Sequence, residues 1–406
     1  MITRISIEGF KSFRKVDLTL GSFNLFIGTN ASGKSNFLDA LRVLQGIGYG
    51  FTIEEILNGK PKSAASDVWE AIRGGSARAA YLGDGTAGAS RIMFEVEFRA
   101  GSPENNYRYM IQFSPEKGCL LEESLVLGGW PIFDSRPVEK FPSLPFFDVR
   151  YYKGTPGRQP HLSFEKSRPV LHQLLDHREC QETHKEHLKN CISALSNMQN
   201  LDPSPAVLRE YSRAQSVRRM GERGENFASL VSAIVEAPDT KEAYISWLRQ
   251  LTPSEFDDVV ISRGALGEPL FAVREGGEIY HAPVLSDGTL RFAAITAAFF
   301  QPDMPEVITV EEIENGIHPT RLRLLVELLK SQSSGGGSQV MATSHSPIVL
   351  AWLREADFET TFFCQKDEES HATTITPLTE VRGFTDLIRK QPITDLFAEG
   401  WLEGAL

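Results

Sequence analysis

Apolar and polar residues alternate from Ile2 to Phe10, the period-two pattern of a strand with one buried face, and again over Val16-Asp17-Leu18-Thr19-Leu20. Lys11-Ser12-Phe13-Arg14-Lys15 reads as the turn between them. Ser22-Phe23-Asn24-Leu25-Phe26-Ile27 is a short buried strand, and residues 36–45 carry Phe37, Leu38, Ala40, Leu41 and Leu44 at helical spacing. Residues 46–85 are mixed and glycine-rich, which predicts loops with one helix near Asp67 to Arg73. Residues 91–98 and 107–113 predict paired strands across a polar loop, and further short strands, dense in Pro and Phe, run to about Tyr152.

Near Pro160 the character changes. Residues 168–250 are helical in pattern, broken at Asp202-Pro203-Ser204-Pro205 and near Pro238. A strand pair comes next at residues 259–262 and 270–273, with Gly276-Gly277 as a turn. From Val284 onward β and α alternate: a helix over 290–300, buried strands over 307–310 and 339–343, and strands over 360–364 and 372–375 joined by a turn at Asp367-Glu368-Glu369. The fold class is therefore α/β, with residues 101–281 separating two α/β portions that could belong to one sheet. No internal repeat is visible.

The chain has 406 residues, enough for two or three structural units, and its 41% hydrophobic and 23% charged content is ordinary for a globular protein. No run approaches the roughly 20 apolar residues needed to cross a bilayer. Met1 leads directly into a strand rather than a signal peptide, and four scattered cysteines favour a reducing compartment, so the expected location is cytoplasmic, with no membrane partner. A net charge of −11 speaks against non-specific grip on nucleic acid by the whole surface, while leaving room for a local basic stripe.

The most specific chemistry is Gly28-Thr29-Asn30-Ala31-Ser32-Gly33-Lys34-Ser35, which fits G-x-x-x-x-G-K-[ST] between a strand and a helix. Backbone N–H groups and the helix N-terminus there face an anion, Lys34 can reach the outer phosphates of a nucleotide, and Ser35 can hold Mg²⁺. Downstream, the strand over 307–310 ends in Glu311-Glu312, at the edge where open α/β sheets place ligand chemistry. Glu311 can bind the Mg²⁺ water shell and Glu312 can accept a proton from attacking water; two acids in that position also cap helices. The strand over 339–343 ends in Ser344-His345-Ser346-Pro347, where His345 could donate to a phosphate oxygen or serve only the turn. Leu285-Ser286-Asp287-Gly288-Thr289-Leu290-Arg291 opens a helix, offering either a second anion site or a plain N-cap.

Together, G-T-N-A-S-G-K-S, L-S-D-G-T-L-R, V-I-T-V-E-E-I-E-N-G-I-H-P and T-S-H-S-P resemble the nucleotide-binding head shared by ABC, SMC, RecF and OLD-type ATPases. The nearest likeness is to the stand-alone AAA-family proteins of RecF/OLD type common in bacterial defence loci. The opening I-x-I-x-G-F-K-S-F, the central L-D-P-S-P…R-G-E-N-F and the terminal D-L-F-A-E-G-W-L are similar too. The resemblance implies an ABC/SMC-like P-loop ATPase head with a mixed β lobe and a central, mainly helical insertion, a RecF-like lid. Residues 1–100 and 281–406 would form the head and 101–280 the inserted strands and lid. It implies ATP and Mg²⁺ as ligands, with Gly28, Asn30, Gly33, Lys34, Ser35 and Asn36 on the nucleotide, Ser35 and Glu311 on the metal, and Glu312, His345 and Lys34 in catalysis. Residues 314–319 would be the D-loop region. Ser286 and Gly288 would be the signature that meets nucleotide held by another subunit, so a head-to-tail homodimer is expected. Ala31 stands where SMC and RecF heads usually carry Gly, Asp287 replaces the first signature Gly, and no Q-loop glutamine is placed, Gln112 being one guess.

Two features of the middle segment remain open. Arg209, Arg213, Arg218, Arg219 and Arg223 read either as a nucleic-acid or partner stripe on a helix, or as a solvated face balanced by Glu210, Glu222 and Glu225. His177, Cys180, His184, His187 and Cys191 fall on one helical stripe, either a packing seam or a zinc site; spread over about 20 Å at 1.5 Å per residue, only two or three could meet one ion. The leading expectation is an ATPase whose closed dimer senses or controls a separate effector (a nuclease, toxin or reverse transcriptase) in anti-phage defence. Alternatives are a DNA-binding repair ATPase of RecF type and a slowly hydrolysing, ATP-gated scaffold or inhibitor; a transporter ATPase fits least.

Overall fold

The structure is a computed structural model, described here for residues 1–60, 69–83, 91–102, 104–136, 145–154, 159–251, 256–398 and 400. In chain order, β1 (Ile2–Phe10), β2 (Phe13–Thr19) and β3 (Phe23–Ile27) precede α1 (Lys34–Gly48) and α2 (Ile53–Asn58). Then come β4 (Ile92–Arg99), β5 (Asn106–Ser114), β6 (Cys119–Leu127), β7 (Trp130–Arg136), β8 (Phe146–Tyr151) and β9 (His161–Glu165). The helices α3 (Val170–Leu175) and α4 (Glu182–Ser196), the strand β10 (Met198–Leu201), and α5 (Pro205–Leu208), α6 (Phe227–Glu236) and α7 (Pro238–Arg249) are next. The last part holds β11 (Phe256–Arg263), β12 (Pro269–Glu275), β13 (Glu278–His281), α8 (Asp287–Ala298), β14 (Val307–Val310), α9 (Pro319–Ser333), β15 (Gln339–Ser344), β16 (Thr361–Lys366) and β17 (Thr373–Pro377).

These elements form two units that alternate along the sequence: residues 1–21, 28–198 and 363–376 make one, and residues 22–27, 199–362 and 377–406 the other. The first unit is built on an eight-stranded antiparallel sheet in the order β2-β1-β4-β5-β6-β7-β8-β9. Its pattern is simple: in β4, Ile92, Phe94, Val96 and Phe98 are buried while Met93, Glu95 and Glu97 are not. α1 packs on α4 and α2. The approach is close at Gly48, where a Cβ would come within 2.5 Å of the Ser196 nitrogen.

In the second unit β14, β15 and β3 are parallel neighbours, with β10 beyond β14. β14 and β3 are buried along their whole lengths, as parallel strands covered on both faces must be. The one polar side chain inside β3, Asn24, is satisfied by donating to the Val340 carbonyl. β16 starts beside β3, where Phe362 stacks on Phe26 with ring centroids 5.0 Å apart. A separate antiparallel sheet, β11-β12-β13, carries α6 against β12.

Several expectations fail in instructive ways. Residues 69–73 are not helical; Trp69 bridges Lys60 and packs against Tyr49, Phe51 and Arg42, while Asp67 lies outside the described residues. The sheet of the first unit continues through β9, past the change of character near Pro160. The expected helical stretch contains a strand, β10, and residues 209–226 are irregular, so the arginines there do not form a helical stripe. Of the His/Cys stripe only His184, His187 and Cys191 ride on α4. The Gly276-Gly277 turn leads into a third strand, β13, that alternation did not reveal because its residues are exposed throughout. α1 and α8 both begin earlier than their apolar periodicity, at Lys34 and Asp287.

One buried acid stands out in the first unit. Glu123 on β6 is fully buried and accepts from the Val170 and Leu171 N–H groups at the start of α3 (2.6 and 3.2 Å) and from the Tyr109 hydroxyl (3.0 Å). Burial pushes its carboxyl up from 4.5 to about 7, against the pull of those donors. A raised carboxyl binds its proton more tightly in the folded chain than in the unfolded one. Its contribution to stability is therefore complete below about pH 4.5 and lost as pH rises through about 7. In parallel melts of wild type and Glu123→Gln between pH 5 and pH 8, the stability difference should shift toward the variant with rising pH, by up to about 3 kcal/mol.

Candidate functional site

The loop after β3 is shaped by what its residues lack. Gly28 has no room for a side chain: a Cβ would sit 2.3 Å from the Cys364 carbonyl oxygen. Gly33 adopts φ 102°, in the left-handed region that favours glycine, and a Cβ there would strike the Thr373 hydroxyl at 2.4 Å. Thr373 donates to the Ser32 carbonyl (3.0 Å), so the β16–β17 hairpin braces the loop. Ala31 takes φ 64°, the left-handed conformation a glycine would adopt without cost. Lys34 is buried, its ammonium donating to the Gly28 and Thr29 carbonyls (2.7 Å each). Asn30 is exposed, Ser35 is half-buried in the first turn of α1, and Asn36 donates to the Ser12 hydroxyl (2.7 Å). No acid sits in the first turn of α1 to oppose an anion.

A basic cleft of about 370 Å³ adjoins this loop through Ser12 and Asn36, and is lined also by Lys11, Arg73, Arg78, Lys366 and His371. Lys11 bonds the Asp39 carboxylate and the Arg73 carbonyl; burial pulls its ammonium down and Asp39 holds it up. Sequence reading missed Arg73, Arg78, Lys366 and His371. They come from two segments far apart in the chain, and no local spacing joins them.

In the second unit the parallel register pairs Val310 with Ala342 and Ile27 with Ser344, so β14, β15 and β3 end at one edge. Glu311, just past β14, donates its N–H to the Leu201 carbonyl (3.1 Å). Glu312 is a non-glycine residue at φ 46°, a conformation costing on the order of 1 kcal/mol that the fold holds by binding its N–H to the Thr343 hydroxyl (2.9 Å). Arg291, 3% exposed on α8, donates to both acids' carbonyls (2.6 and 3.3 Å), to the Pro203 carbonyl and to Asp202 (3.0 Å each). One guanidinium thus ties the helix opened by Ser286 to the strained turn. His345 comes directly after β15, with Nδ1 2.8 Å from the Glu314 carboxylate.

Ser286 is exposed and caps α8, its hydroxyl accepting from the Thr289 N–H (3.2 Å), so the N-cap reading holds as geometry. Gly288 is required: a Cβ would come within 2.6 Å of the Gly316 carbonyl oxygen. The extra negative charge at Asp287 is met by Arg209, whose guanidinium bonds it at 2.5 Å and also reaches the Leu285 carbonyl. Arg219 pairs with Asp303, leaving Arg213, Arg218 and Arg223 as the exposed members of the arginine set. Gln112 lies within β5, paired with Met93 and Glu122, and is not in a loop at all, which removes it as the Q-loop candidate. His184 and His187 bond Tyr151 and Tyr107 through Nδ1 (2.8 Å each), and Cys191 is buried. Among the described residues no group of three or more His, Cys, Asp or Glu is disposed to hold a metal ion. Nor is any helix of the described residues long and apolar enough to cross a membrane.

The parallel strand edge and the capped α8 belong to an α/β fold, and a solved structure shares that fold. The chain is similar to an SMC head bound to the C-terminal winged-helix domain of ScpA, with TM-score 0.52 and 13% identity, over 92% of this chain and 96% of that one. An SMC head domain from Thermotoga maritima aligns with TM-score 0.44 and 13% identity, over 93% and 98% of the two chains. The family described as "AAA domain, putative AbiEii toxin, Type IV TA system" matches residues 23–351, and the chain belongs to it. A Helicobacter pylori protein described as an ATP/GTP phosphatase is 33% identical over 97 residues, 22% of this chain. That match spans 26% of the relative's length. The chain is thus an AAA-family protein with an α/β fold like that of an SMC head.

Removing the Arg291 guanidinium leaves the carbonyls of the acid turn without their donor. Arg291→Met should cost about 2 kcal/mol, read from the denaturant midpoint, and Arg291→Lys should recover little because one ammonium cannot span the same acceptors.

Proposed function

We propose that this protein is a Mg²⁺-dependent ATP hydrolase that closes as a head-to-tail homodimer and controls a separate effector, in anti-phage defence. The observation carrying the hydrolase reading is the strained acid turn. Glu312 is held at φ 46° by Thr343 and by Arg291 on the helix that Ser286 opens, at the edge where β3 also ends. Strain of this kind is retained where it serves a site.

The donor set fits the ligands: a loop stripped of Cβ atoms at Gly28 and Gly33, a buried Lys34 ammonium, the Ser35 hydroxyl at a helix start, and Glu311 half-buried after a strand. Ser35 and Glu311 would hold Mg²⁺, which neutralises phosphate charge when bound. Gly28, Asn30, Gly33 and Asn36 shape the cradle, and Lys34 holds the outer phosphates. Glu312 takes a proton from the water whose oxygen bonds to the γ-phosphorus as the bond to the β-phosphate oxygen breaks. His345 steadies the γ-phosphate. Ser286 and Gly288 of a second copy complete the site: Ser286 is exposed, and Arg209 offsets the charge of Asp287 beside it.

In this reading residues 1–100 and 281–406 supply the head and 101–280 the inserted strands and lid. The effector is a nuclease, toxin or reverse transcriptase; the toxin wording of the family description and the resemblance to defence-locus ATPases support that choice. A repair ATPase that grips nucleic acid is the second reading, favoured by the exposed Arg213, Arg218 and Arg223; Arg219 and Arg209 are engaged within the chain.

Two measurements check this. Phosphate release by Glu312→Gln should fall about 10²–10⁴-fold with nucleotide affinity kept. Ser286→Arg should bind ATP yet stay monomeric by light scattering and hydrolyse nothing; full turnover by that monomer would refute the shared site.

A further inference from the structure

We infer that Glu314 is the positioning residue for His345, fixing which ring nitrogen faces the γ-phosphate; this rests on the hydrolase reading above. A single oxygen, Oε1 of Glu314, gathers three contacts: the His345 N–H at 2.5 Å, the Ser346 N–H at 3.1 Å and His345 Nδ1 at 2.8 Å. The other oxygen, Oε2, is buried without a hydrogen-bond partner. The Glu314 side chain is 9% exposed and that of His345 42%.

The chemistry of these contacts assigns the proton. Two of the three groups are backbone amides that can only donate, so the carboxylate accepts. An imidazole nitrogen with a bare lone pair would repel an oxygen already carrying charge, so Nδ1 holds the hydrogen and donates it. Nε2, across the ring, is the nitrogen left for a phosphate oxygen. Glu314 therefore acts at two levels. It pins the chain that carries His345, and it sets the ring's flip and tautomer, which an exposed histidine on a turn would otherwise leave free. The lone, poorly solvated carboxylate strengthens the hold, since a charged acceptor is worth roughly twice a neutral one.

Glu314→Gln separates the two levels, because an amide oxygen still accepts from the backbone N–H groups while the charge is gone. Its kcat should drop about tenfold with the KM for ATP unchanged. The double variant Glu314→Gln/His345→Ala should be no slower than His345→Ala alone. With ¹⁵N-histidine labelling and His345→Gln to assign the signal, the wild-type ring should be protonated at Nδ1, and Glu314→Gln should increase the Nε2-protonated tautomer. A wild-type ring with bare Nδ1, or fully multiplicative effects in the double variant, overturns the inference. Should His345→Ala turn over normally while the ring signal still depends on Glu314, the pairing stands and the role given to His345 in hydrolysis falls, so the two failures are told apart.

Discussion

Parallel pairing of β14, β15 and β3 is the constraint on which the second unit's strand edge rests. A parallel strand has its hydrogen bonds evenly spaced, so once Val307 sits opposite Gln339 and Val340 opposite Phe23, the levels of all three strand ends are set. Slipping one strand by a residue would turn its side chains to the other face. With every residue of β14 and β3 buried, such a slip would have to repack both layers, so the register is firm. The residues next in the chain after two of these strands then emerge at one edge: the acids after Val310 and the histidine after Ser344.

That edge keeps its shape only because short, strong contacts hold the turns that leave it. Glu312 at φ 46° would relax toward the right-handed region if left to itself. Thr343 holds its N–H and Arg291 its carbonyl. The next two links use the same device, with Ile313 donating its N–H to the Thr343 carbonyl and Glu314 reaching across to the chain at His345. Side chains of β15 and the turn after it therefore grip the turn after β14 and are gripped in return. Strain at one residue is spread over a closed set of hydrogen bonds, each of which would have to fail for Glu312 to move.

Sequence reading recovered what is local. The phosphate loop, the acid pair, the histidine after a strand and the serine before a helix each occupy a few consecutive residues, and the α/β alternation that frames them is a short-period signal. It lost what depends on partners distant in the chain. Arg291 looked like the tail of a signature motif, yet its function in the fold comes from Asp202, Pro203, Glu311 and Glu312. The arginines after Pro205 looked helical because Arg209 and Arg213 are four apart; the chain there is irregular and Arg209 is engaged by Asp287. β13 escaped because an exposed strand carries no hydrophobic period. The helix expected near Asp67 to Arg73 does not form at Trp69, whose packing on Tyr49 and Phe51 a loop serves equally well.

The pairing of Arg209 with Asp287 bears on the charge of the whole molecule. A chain of net charge −11 repels polyanions, and a triphosphate is a compact one, so each cation near a phosphate-facing surface matters more than its count suggests. The chain meets this locally. No acid stands in the first turn of α1, the one acid in the first turn of α8 is matched by an arginine, and Lys11, Arg73, Arg78, Lys366 and His371 converge on the cleft beside the phosphate loop.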